Sequence, residues 1–89
     1  MKVTRELVAQ KMTDYLSHRL SLAELVDWAE EAMREGDFEE RHLEVVRNAV
    51  ARLGLADVRS FGLTWEDCEA ILRQLGYRAH VEVTAAKSA

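Results

Sequence analysis

The chain has 89 residues, 48% of them hydrophobic, and 16 acidic against 12 basic side chains give it a formal net charge of −4. That length holds one domain and buries roughly 60–65% of the unfolded surface, which excludes a second core and makes metal or disulfide staples unnecessary. One cysteine, Cys68, excludes an internal bridge and suits a reducing compartment, while the charged start Met1 to Glu6 and the short apolar runs exclude a signal peptide and a membrane span.

No proline interrupts the chain, and its glycines stand only at 36, 54, 62 and 76, which favours helices. The first helix is expected over about 5–18, capped by Thr4, with Val8, Met12, Tyr15 and Leu16 at helical spacing. The second, over 22–35, opens on the capping box Ser21/Glu24, with Leu20 and Leu25 placed as a hydrophobic staple. Leu22, Leu25, Val26, Ala29, Ala32 and Met33 share its inward face, and Gly36 offers a left-handed stop. The third, over 38–53, takes Asp37 as its cap, with His42, Val45, Val46, Ala49, Val50 and Leu53 inward. Gly54 ends it, and Leu55 is placed to fold back onto Val50. After a connector, Thr64 and Asp67 cap a fourth helix over 65–75, which Gly76 stops. The pattern predicts a mainly α fold, a compact four-helix bundle closed by a short C-terminal β-strand.

That strand is expected over 77–84, where Tyr77, Ala79, Val81, Val83 and Ala85 alternate with Arg78, His80, Glu82 and Thr84. A lone strand cannot satisfy its own backbone, so it pairs with Met1–Thr4, with a copy of itself, or with another protein. Tyr77, Ala79, Val81 and Val83 are thus the candidate dimerisation residues, and 85–89 is expected to be disordered.

Charge is uneven: residues 24–44 carry nine acids (Glu24, Asp27, Glu30, Glu31, Glu35, Asp37, Glu39, Glu40 and Glu44) against Arg34 and Arg41, a net −7. Such a pole keeps a protein in solution, repels nucleic acid and favours a basic partner. The arginines 47, 52, 59, 73 and 78 are scattered, and the connector before the fourth helix is too long for a helix-turn-helix.

The chemistry-bearing residues do not assemble a site. His18, His42 and His80 lie far apart; Asp14 and His18 share a helix face but lack a further ligand, so no metal and no cofactor are expected. Asp57–Cys68 has Gly62 at the sixth place of a calcium loop, but Arg59, Phe61 and Cys68 stand where ligands are required. Cys68, one turn into its helix and opposite Leu63, reads as a packed side chain whose acidic neighbours Glu66, Asp67 and Glu69 raise its pKa. With no phosphate loop or nucleophile elbow, the chain is read as a non-enzyme located in the cytoplasm.

What remains is protein recognition. Arg59, Phe61, Trp65 and Glu66 crowd the connector and the start of the fourth helix, and Trp28 borders the acidic pole beside Glu31 and Glu35. Tryptophan and arginine commonly anchor interfaces, although Phe61 and Trp65 suit the closed end of a core better.

The stretch Leu20-Ser21-Leu22-Ala23-Glu24-Leu25-Val26-Asp27-Trp28-Ala29-Glu30 resembles the second-helix region of bacterial immunity proteins of the colicin-immunity type. The resemblance implies an acidic four-helix bundle that covers the active site of a basic nuclease toxin, with Glu30, Glu31 and Glu35 among the contacts. The expected function is protein binding, as an inhibitor of a basic partner, or a homodimeric subunit assembled through the C-terminal strand.

Overall fold

A computed structural model describes residues 1–87 of the chain. Thr4 opens α1 (Arg5–Leu16), its hydroxyl accepting the Leu7 amide at 3.1 Å. The helix ends two residues earlier than expected, because His18 takes a left-handed φ of 64°. In α2 (Leu22–Glu35) both halves of the capping box form: Ser21 Oγ accepts the Glu24 amide at 3.1 Å and Glu24 Oε1 accepts the Ser21 amide at 2.9 Å. Leu25, Val26, Ala29 and Ala32 are buried, whereas Met33, expected inward, is exposed.

The largest departure follows α2. Gly36 is not left-handed but extended, at φ −73° and ψ 147°, and Asp37 caps no helix. Instead β2 (Asp37–Phe38) pairs in parallel with β1 (Lys2–Val3), in the register Lys2↔Asp37 and Val3↔Phe38. The Asp37 amide donates to the Met1 carbonyl at 2.7 Å and the Glu39 amide to that of Val3 at 3.1 Å. Pairing places Val3 in the core with no exposed surface, a gain that a helix begun at residue 38 would forfeit. The third helix, α3 (Leu43–Leu53), therefore starts five residues late, with half-buried His42 at its N-cap and Val45 exposed.

Gly54 ends α3 in the right-handed region, at φ −65° and ψ −15°; Leu55 does not fold back on Val50 but faces solvent, and Ala56 is buried instead. The Schellman arrangement occurs at the other helix end. α4 (Trp65–Gln74) opens on the Thr64/Asp67 capping box and closes on Gly76 at φ 94°. There the Gly76 amide bonds to the Arg73 carbonyl at 3.0 Å and the Tyr77 amide to that of Leu72 at 2.8 Å.

Val3, Val8, Met12, Leu25, Val46 and Leu53 form the fully buried centre, and no polar residue is buried among the described residues. The fold is mainly helical, as expected, but its strands lie at residues 2–3 and 37–38. The C-terminal strand expected over 77–84 is absent: Met1–Thr4, the one partner for it expected within the chain, pairs through Lys2–Val3 with β2 instead. Residues 78–87 make no backbone–backbone hydrogen bond among the described residues. Ala85–Lys87 are exposed and irregular, and the rest of the expected disordered end lies outside the described residues.

Candidate functional site

Burial of Leu25, Val26, Ala29 and Ala32 turns the opposite side of α2 outward, so Asp27, Glu30, Glu31 and Glu35 are exposed. Glu30, Glu31 and Glu35 meet no cation in an ion pair among the described residues. The pole is not uniform: Glu39 is half-buried and accepts the Arg5 amide at 3.3 Å, and Asp37 lies 3.8 Å from Lys2 Nζ. Trp28 packs against the core at the edge of this face, with Lys11 Nζ 5.7 Å from its ring centroid. It belongs to the α1–α2 contact more than to the acidic surface.

The connector after α3 builds an apolar row. The Val58 amide bonds to the Leu55 carbonyl and the Phe61 amide to that of Val58, at 3.0 and 2.9 Å. Successive three-residue turns bring Leu55, Val58 and Phe61 to one side, where they remain 40%, 42% and 50% exposed. Phe61 therefore does not close the core. Arg52 lies over its ring, the guanidinium 5.6 Å from the centroid and Nη2 3.3 Å from Asp67 Oδ2.

Leu55 also borders a groove of about 450 Å³ between α2 and α3, lined by Met33, Ala51 and Gly54 and flanked by Glu30 and Arg34. Exposed Met33 and Leu55 thus form an apolar strip that meets α2 at Glu30 and Arg34, and Val58 and Phe61 follow Leu55 along the connector. Arg59 and Glu66 are exposed. Trp65 is half-buried and faces elsewhere, into a crevice of about 570 Å³ shared with Leu16, Leu72 and the tail residues Arg78–Glu82.

The expected binding residues therefore fall into separate places: Glu31 and Glu35 on the acidic face, Arg59 and Phe61 on the connector, Trp65 under the tail. Met33, Leu55 and Arg52 are what sequence reasoning missed. The three-residue spacing of Leu55, Val58 and Phe61 is the available signal, hidden because Leu55 reads as the close of the third helix and only Val58 and Phe61 as connector. Of the expected dimerisation residues, Tyr77 and Ala79 pack against the core, while Val81 and Val83 are 64% and 87% exposed.

No group of three metal-ligating side chains gathers among the described residues. Asp14 bonds Arg19 at 3.0 Å and Gln10 at 3.0 Å, hydrogen bonds that hold its carboxyl below the usual aspartate range, and His18 takes no part. The Cys68 thiol is buried and its pKa is pushed up to about 11, by burial first and the Asp67 charge second, which suits packing and not nucleophilic attack. No helix among the described residues is long and apolar enough to cross a membrane. No protein-family model matches the chain, and neither curated proteins nor solved structures give a match.

Proposed function

We propose that this chain is a non-catalytic protein-binding domain that takes a basic protein partner on the acidic face of α2 and the adjoining apolar strip. The observation that carries the reading is Glu30 at the rim of the groove that holds Met33 and Leu55, because it joins unpaired carboxylates to unspent apolar surface. Carboxylates steer a cationic partner and set register, while desolvated apolar side chains supply the lasting affinity. The resemblance of residues 20–30 to immunity proteins supports the same direction, toward inhibition of a basic nuclease.

The test is calorimetric titration with an amphipathic peptide carrying Lys or Arg on one face and Leu or Phe on the other. Binding should weaken with added salt, with Glu31→Lys or Glu35→Lys, and with Met33→Ser or Leu55→Ser. Equal binding of a peptide with Glu in place of every cation would overturn the reading.

A second reading, a homodimeric subunit joined through the tail, is favoured by Val81 and Val83. They are the most exposed large apolar side chains of the described residues, on backbone without internal partners.

A further inference from the structure

We propose that the tail is a strap, hinged at Gly76 and latched by Arg5, that closes over the crevice between the end of α1 and the start of α4 and opens without unfolding the helices. It is independent of the acidic face of α2 and uses the side of the tail turned toward its own chain.

The hinge is where main-chain ties end. Gly76 holds φ at 94°, and its amide and that of Tyr77 make the last backbone bonds among the described residues, to Arg73 and Leu72. The last buried side chain is Leu75, one residue before the hinge. Beyond it the tail is held by side chains alone. Tyr77 and Ala79 pack half-buried on the core, while Arg78 and His80 are exposed, the period of extended chain with one face inward. Arg78, His80 and Glu82 make no ion pair among the described residues.

Arg5, the first residue of α1, lies across the turn. Its guanidinium is 5.6 Å from the Tyr77 ring centroid, its Nη1 is 3.5 Å from the Leu75 carbonyl oxygen, and a Cβ on Gly76 would stand 2.9 Å from the same nitrogen. Its Nε is buried without a hydrogen-bond partner, 3.6 Å from Glu6 Oε2, so the carbonyl and the ring are what tie this side chain across to the tail.

The strap covers apolar surface. Arg78–Glu82 form one wall of the crevice of about 570 Å³, and Leu16, Trp65 and Leu72 line it from the body. Swinging the tail away would put these side chains in water, which favours the closed strap. With two half-buried anchors and no backbone bonds, however, the tail belongs to the segments that open locally, far below the cost of global unfolding.

The test is nuclear magnetic resonance on the full chain, with order parameters along the tail and the indole signals of Trp65 and Trp28 as separate reporters. In the natural chain, residues 77–80 should be as ordered as α4. Tyr77→Ala and Arg5→Met should drop residues 77–82 below an order parameter of about 0.6 and shift the Trp65 indole, with the Trp28 indole and the helix amides unmoved. Arg5→Lys keeps a cation over the ring and Tyr77→Phe keeps the ring, so both should stay closed. A Trp65 indole that does not shift when the tail is freed overturns the strap, and so does a natural tail already mobile from Tyr77 onward. A tail that stays closed in Arg5→Met overturns the latch. Should Tyr77→Ala unfold the helices, Ala79→Asp decides, because it lies beyond the hinge: helices kept with the tail free support the proposal, and helices lost overturn it.

Discussion

Gly36 and Val3 approach so closely that a Cβ on Gly36 would stand 2.7 Å from Val3 Cγ2, and closer still to the carbonyl oxygen of Ala32. The glycine serves space and not a left-handed turn, since its φ is −73°. Gly36→Ala should cost about 1–3 kcal/mol in urea unfolding, the range of an overpacked core. Val3→Ala, which removes one of the two clashing groups, should combine with it non-additively, so that the double variant is more stable than the sum of single losses predicts.

The two capping boxes make a prediction about acid. The Ser21 amide and hydroxyl hold the Glu24 carboxyl below its ordinary 4.5, and those of Thr64 hold the Asp67 carboxyl below 3.8, with Arg52 adding less. A folded pKa lowered in this way gives stability that is present above the ordinary value and is lost as pH falls through the folded one. The gap in thermal midpoint between the natural chain and Glu24→Gln should therefore be constant at neutral pH and close below about pH 4.5. Removing the hydroxyl itself, in Ser21→Ala or Thr64→Ala, should cost about 1 kcal/mol at neutral pH.

Cys68 should behave as a core residue under chemical modification. At neutral pH its reaction with a thiol reagent should be slow in the folded chain and fast in urea. Its folded pKa of about 11 lies above the ordinary 9.0, so the unfolded chain releases the proton first. Stability should therefore fall as pH rises from 9.0 toward 11, and Cys68→Ala should lack this alkaline loss.

Arg52 is the link between connector and α4, through the Phe61 ring and Asp67. Because Asp67 is held mainly by Thr64, Arg52→Ala should cost less than about 1 kcal/mol while freeing the connector. Order parameters from nitrogen relaxation should drop across residues 57–62 and remain unchanged in α4. A rigid connector in the variant would mean that the turns alone hold it.

The features legible in the sequence are those closed by partners three to five residues away. Ser21 with Glu24, Thr64 with Asp67, and Gly76 after Leu75 each satisfy a helix end locally, and each occurs as read. Asp37 with Glu40 copies the same spacing, yet pairing with Met1–Val3 overrides it, and no local pattern records a partner so remote. The period of the tail was equally legible, but alternation records which face is apolar and not whether the chain contains a second strand. Of the candidate surface, the carboxylates of α2 follow from helical period alone. The apolar strip depends on Met33 and Leu55 meeting across two helices, which only packing determines.

The parallel join of Lys2–Val3 to Asp37–Phe38 has a kinetic side. Helix turns close over four residues, whereas this join runs from position 2 to position 37 and makes a ring of everything between, α1 and α2 included. Closing such a ring costs more chain entropy than any helical turn and is repaid only once Val3 reaches the core. The expected folding order is therefore the helices first and the ring afterwards. In hydrogen exchange the amides of Asp37 and Glu39, which bond across the join, should open independently of the amides in α2 and α3, and so report the stability of the ring by itself.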